Sequence, residues 1–318
     1  MPEPSYREAL GHAWKLTWHH KSLWVLGLLS IFLGQFGLSN FLGQLISKLV
    51  FADASWWPAS WGALHIVSPD QFLWFSWISF IVAALIMFVF AASVCAEGAL
   101  IATAVHYFNV RTILNLHSAW RQGVKHFWRI LGINILEKLL LSLILWVLIE
   151  SVSVVSSISI MGFFLEILVI AVGIFLALTI STVAIFTLGY TMVDNQGLID
   201  ALSQGWHLFR RHVFVSFELS VMLLLCNALV FAALWFGSFL VLIPSFFISL
   251  AAGFTGYLTF LSISVVAYVF LFVLAVAFLG AIFNAFTTSA WMYLFMHMYH
   301  EGLGSRLKQL VGKVLKRT

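Results

Sequence analysis

The chain has 318 residues, of which 62% are hydrophobic and only 9% charged, with a formal net charge of +4. A soluble domain carries about 25% charged and about 45–50% apolar residues, so a large soluble core is excluded. Several charge-poor runs exceed the ~20 apolar residues that cross a bilayer, and they are continuous; a β-barrel would alternate over segments of roughly ten residues. The expected class is an all-α integral membrane protein.

The N-terminal stretch ALGHAWKLTWHHKSLW spans residues 9–24. Leu10, Trp14 and Trp18 recur at i, i+4 and i+8, the period of an amphipathic helix. Such a helix lies in the membrane interface, here with Trp14 and Trp18 as anchors and a basic side toward anionic headgroups. His12, His19 and His20 in one short segment also fit a metal or relay site. No short apolar region ending in a small-residue cleavage site follows, so the first span is expected to act as an uncleaved anchor.

Six spans are predicted, at about 23–46, 72–97, 129–150, 162–188, 213–237 and 257–283. In the first, Gly27, Ser30, Gly34 and Gly37 share one helix face suited to close backbone approach. The Trp- and Pro-rich loop over 52–70 reads as an interfacial loop on the outer leaflet, with an aromatic ligand platform as the sharper alternative. The returning spans are expected to continue as helix past the membrane, through 98–108, 179–190 and 284–300. Extra half-spans near Pro244 or after Phe283 are the alternative. The tail after residue 301 reads as a further basic amphipathic helix, and a nucleic-acid partner is not expected. Cys95 and Cys226 lie inside apolar runs and read as packing residues.

Fourteen of the sixteen Lys and Arg fall in the N-terminus, the loops after spans two and four, and the tail. The positive-inside rule then puts both termini in the cytoplasm, with the bilayer and its anionic lipids as expected partners.

Three segments match one another. AWRQGVKHFWR (119–129) and ALSQGWHLFRR (201–211) share Ala119/Ala201, Gln122/Gln204, Gly123/Gly205, Phe127/Phe209 and Arg129/Arg211. ALGHAWKL (9–16) matches ALSQGWHL (201–208) at Ala, Leu, Trp and Leu. The chain therefore reads as one membrane domain of three units, about 5–110, 111–195 and 196–300, with the tail at 301–318. Each unit has an interfacial helix followed by a helical hairpin. Arg129, Arg210 and Arg211 are interfacial anchors. In this alignment His12 corresponds to glutamine and His19 to arginine, which argues against a shared metal site.

Ionisable residues within spans are costly and mark candidate sites. These are Glu97 near the end of span two, Glu137 and Lys138 about 12–14 Å into span three, and Glu218 about 8 Å into span five. They read either as a relay or substrate anchor, or as structural pairs with Lys138, Arg129, Arg211 or His212. No Walker loop, G-x-S-x-G, H-E-x-x-H or C-x-x-C is present. No catalytic, cofactor-binding or metal-binding residues are assigned.

The segment SYREALGHAWKLTWHHKSLWVLGLL and the later A-x-x-x-G-W-x-L-F-R elements resemble uncharacterised bacterial polytopic proteins. They also resemble the membrane domain that precedes the catalytic barrel in some glycerophosphodiester phosphodiesterases. The resemblance implies a helical membrane fold and a bacterial membrane location. With 18 residues after His300 no barrel is expected, and no catalytic residue carries over. The expected function is a non-enzymatic structural, accessory or envelope-homeostasis role. The alternatives are a transporter or channel for a small solute or lipid, and an intramembrane enzyme acting on lipid.

Overall fold

The computed structural model describes residues 5–31, 33, 69–155, 160–255 and 258–301. All secondary structure among these residues is helical: α1 Ser5–His19, α2 Ser22–Ser30, α3 Pro69–Val110, α4 Leu116–Lys125, α5 Phe127–Val155, α6 Ile160–Val193, α7 Leu198–Arg211, α8 Val213–Thr255 and α9 Leu258–Glu301. Among the described residues, five stretches are long and apolar enough to cross a membrane: Ser76–Val110, Phe127–Ser151, Phe164–Val193, Val213–Ile248 and Val266–His300. They make the chain a multi-pass helical membrane protein. Of the predicted first span, α2 is the opening; residues 34–46, the outer loop over 52–68 and the tail over 302–318 lie outside the described residues.

The returning helices α3, α6 and α9 run on well past the predicted span ends at 97, 188 and 283, reaching Val110, Val193 and Glu301. The predicted end at 237 needs correction, whereas the predicted start at 257 lies within one residue of the observed one. Helix α8 continues through Pro244 to Thr255, and α9 begins at Leu258. Proline removes one backbone donor, but leaving the helix in lipid would strand many more backbone groups.

The core gathers toward one end of the bundle, where α1, α4 and α7 lie; we call it the basic end. There Ile101, Ile130, Phe186, Leu219, Leu294 and Phe295 form the main buried cluster. Away from it, the long helices expose apolar side chains such as Phe80, Leu85, Leu229, Phe236 and Phe270. Water would penalise these strongly, whereas lipid tails do not.

Each short helix packs on the end of a long one: α4 on α3, α7 on α6 and α1 on α9. Their contact faces use small residues. Ala9, Ala119 and Ala201 are fully buried, and Ala13, Gly123 and Gly205 are buried beside them. In α1 the buried row is Ala9, Ala13 and Leu16, while Trp14 and Trp18 remain half exposed and stack at 5.3 Å between ring centroids. The α1 helix thus has two apolar faces, one for α9 and one for its surroundings.

Helix α2 joins the bundle through Gly27 and Ser30. A Cβ at Gly27 would overlap the Ala281 carbonyl of α9. Asn284 of α9 donates from Nδ2 to Ser30 Oγ at 2.8 Å and to Gly27 O at 3.2 Å. These two of the four predicted small residues are a packing surface; Gly34 and Gly37 lie outside the described residues.

Candidate buried carboxylate site

Glu97 sits on α3 and Glu137 on α5, where the three helices α3, α5 and α6 meet below the short helices. Both are buried, at 1% and 5% exposure. Asn134, one turn before Glu137, donates from Nδ2 to Glu97 Oε2 at 2.7 Å and to Ile130 O at 3.0 Å. Ser181 of α6 donates from Oγ to Glu137 Oε1 at 2.9 Å. A buried carboxylate without such donors would carry a large desolvation cost.

Both carboxylates border one enclosed cavity of about 10 Å³, together with Ile185, Thr288 and Trp291. That volume suits about one water molecule. The Nε1–H of Trp291 is buried and has no hydrogen-bond partner among the described residues. Trp291 and Ile185 also line a second cavity of about 30 Å³, which includes Ser181, Thr182, Ser220 and Asn227. Thr182 and Ser220 face each other there at 3.3 Å.

The predicted candidates therefore separate. Glu97 and Glu137 are brought together. Glu218 is half-buried on α8 and borders neither cavity. Lys138, next to Glu137 on α5, is half-buried and likewise borders neither. Arg129 bonds no carboxylate among the described residues. Its Nη1 donates to Asn195 Oδ1 at 2.7 Å and to Asn195 O at 2.9 Å, and His126 Nε2 hydrogen-bonds the same Oδ1 at 3.0 Å. Asn195 has φ 55°, a left-handed conformation that asparagine tolerates better than most residues. It is the loop residue through which α5 is tied to the end of α6. Arg210 and Arg211 are exposed at the end of α7.

Sequence reasoning missed Asn134, Ser181 and Trp291. In TISTVAIFT (179–187), three of the four hydroxyls donate to their own helix: Thr179 to Phe175 O, Thr182 to Leu178 O and Thr187 to Val183 O. Ser181 is the exception, and it is the one that reaches Glu137.

The histidines of the opening helix also separate. His19 donates from Nδ1 to Lys15 O at 2.9 Å. His12 turns inward, with ring centroids 4.6 Å from Tyr293 and 5.2 Å from Tyr107. Both its nitrogens are buried without a hydrogen-bond partner among the described residues. Burial first, then the positive charges of Arg111, His297 and Lys15, lower its pKa to about 4. Among the described residues no group of three His, Cys, Asp or Glu side chains is placed to hold a metal ion.

No protein-family model, curated protein or solved structure matches this chain.

Proposed function

We propose that this is a non-enzymatic multi-pass protein of the bacterial inner membrane with a structural or accessory envelope role. It is built from three units, each an interfacial helix plus a helical hairpin, with both termini in the cytoplasm. Support for the units comes from the packing of each short helix on the long helix preceding it, with α1 closing the series on α9. The basic side chains of α4 and α7, among them Lys125, Arg210 and Arg211, then face anionic lipid headgroups.

The observation that carries the non-enzymatic reading is the closed state of the carboxylate site. Glu97 and Glu137 accept from Asn134 and Ser181, and the space between them is about 10 Å³. A volume of one water between the two carboxylates passes no solute, and the wider groove of about 300 Å³ that Glu137 also borders is lined almost wholly by apolar side chains.

A second reading, a transporter using intramembrane carboxylates, has one observation in its favour. The same two carboxylates share a cavity with an unpartnered buried Trp291 N–H. Proteoliposome flux separates the two. Vesicles containing wild-type protein or Glu137→Gln are loaded with a pH-sensitive or cation-sensitive dye and subjected to a gradient. The accessory reading expects both to match empty vesicles. Flux in wild type that Glu137→Gln removes would establish the transporter instead.

A further inference from the structure

Between α5, α6 and α7 lies a groove of about 300 Å³. Its rim residues Leu140 and Trp206 are exposed, while Val183 and Ala184 form its buried floor. We propose that this groove seats one acyl chain of an anionic phospholipid, with the phosphate held at Arg210.

The lining selects hydrocarbon because nearly all of it is apolar side chain and its hydroxyls are already engaged. Thr179 and Thr187 donate to carbonyls of their own helix, and Glu137 accepts from Ser181. What remains is an apolar wall, with a volume at the lower end of the ~300–1,000 Å³ range of small-ligand sites. The two long walls, α5 and α6, are membrane-crossing helices, so the phase that meets the groove is lipid. It is concave, unlike the exposed outer face of α6 at Val172, where bulk lipid exchanges freely.

The headgroup assignment follows from α7, which forms the third wall. Leu198, Leu202 and Trp206 line the groove at successive i+4 steps. Arg210 is the next step in that row and is exposed. Tryptophan sits at headgroup level, and a guanidinium one turn beyond it matches a phosphate through charge-assisted hydrogen bonds. Zwitterionic lipid offers the same chains but a compensated head, so the arginine favours the anionic class.

This inference rests on the reading of α7 as an interfacial helix. The experiment reconstitutes the full chain in vesicles of phosphatidylglycerol and phosphatidylcholine, extracts it in mild detergent, and counts retained lipid by native mass spectrometry. Wild type is expected to keep phosphatidylglycerol preferentially. Ala184→Phe, which fills the floor, and Leu140→Trp, which fills the exposed rim without burdening the core, are each expected to cut retention about tenfold. Arg210→Gln is expected to reduce the preference for phosphatidylglycerol about tenfold, and Val172→Phe to change nothing. Retention unchanged in both groove-filling variants, or lost equally in Val172→Phe, overturns the proposal. An environment-sensitive dye at Gln204→Cys, in a Cys226→Ser background, tests α7 separately. Fully aqueous emission would sink the interfacial reading, whereas interfacial emission with unchanged lipid retention would sink the groove alone.

Discussion

Among the glycines of α1, α4 and α7, Gly123 approaches the backbone of a long helix most closely. A methyl added there would overlap the Cys95 carbonyl oxygen and stand 2.9 Å from Cys95 C and 3.1 Å from Ala99 N. These are backbone atoms of α3, which cannot rotate aside, so α4 must lift away. Overpacking of this kind costs about 1–3 kcal/mol, and alanine returns up to ~1 kcal/mol in helix propensity. Gly123→Ala should therefore destabilise by about 2 kcal/mol at the upper end of that balance. Gly205 on α7 is the milder case. Its nearest neighbour is the Thr187 hydroxyl at 2.8 Å, with Thr187 N at 3.1 Å and Val183 O at 3.3 Å. The hydroxyl can rotate, giving up its 2.7 Å bond to Val183 O, so Gly205→Ala should cost under about 1 kcal/mol. Gly11 has no atom within 4 Å of an added Cβ, and Gly11→Ala should stabilise by roughly 0.5–1 kcal/mol. Thermal unfolding in detergent, followed by tryptophan fluorescence, reads all three. At ~2–4 °C per kcal/mol, Gly123→Ala should melt several degrees below wild type and Gly11→Ala slightly above. If Gly123→Ala melted with Gly11→Ala, the close approach of α4 to α3 would be refuted.

Three further outcomes follow from the site. His12 has its pKa lowered to about 4, against ~6.5 unfolded, so the unfolded chain binds more protons between those values and stability falls as pH falls through that window. The ring is half-buried, so solvent screening leaves roughly 1 kcal/mol of effect; His12→Phe should flatten this part of a pH–Tm curve, and an unchanged curve counts against inward burial. Asn195→Ala should cost about 2 kcal/mol in thermal unfolding, from the left-handed backbone and the lost acceptor for Arg129 and His126. Asn195→Gly should recover only the backbone share; full recovery would mean that the side-chain bonds contribute nothing. Ser181→Ala removes the donor to buried Glu137 and should cost about 1–3 kcal/mol, whereas Glu137→Gln keeps an acceptor for Ser181 and should cost less. Equal melting of the two would deny that contact.

The membrane class was legible because charge exclusion over twenty residues has no common alternative explanation. Glu97 and Glu137 were legible for the same reason, since each carries a cost that something must offset. Their partners were not. Asn134 and Ser181 lie 37 and 44 residues from the carboxylates they serve, and neither residue type is unusual in a helix. Which of the four hydroxyls in TISTVAIFT turns outward to another helix depends on the rotation of α6 against α5, and the sequence holds no measure of that angle. Of the partners named for Glu97 and Glu137, Arg129 bonds Asn195 in the structure. Arginine at an interface was expected to find a carboxylate, but the left-handed turn at Asn195 brought a carbonyl and an amide oxygen closer.

The matching segments were more informative than their individual residues. Gly123 and Gly205 align with Ala13, and all three positions are buried against a long helix. A small side chain recurring at one place in an amphipathic helix signals close approach, but only the structure says what is approached. It is the preceding long helix in two cases and, for α1, the final helix α9. The same contact explains His12. Its aligned partners Gln122 and Gln204 are exposed, whereas His12 is covered by Tyr107 of α3 and Tyr293 of α9. Both its nitrogens are buried, and its low pKa follows first from that burial and then from the charges of Arg111, His297 and Lys15.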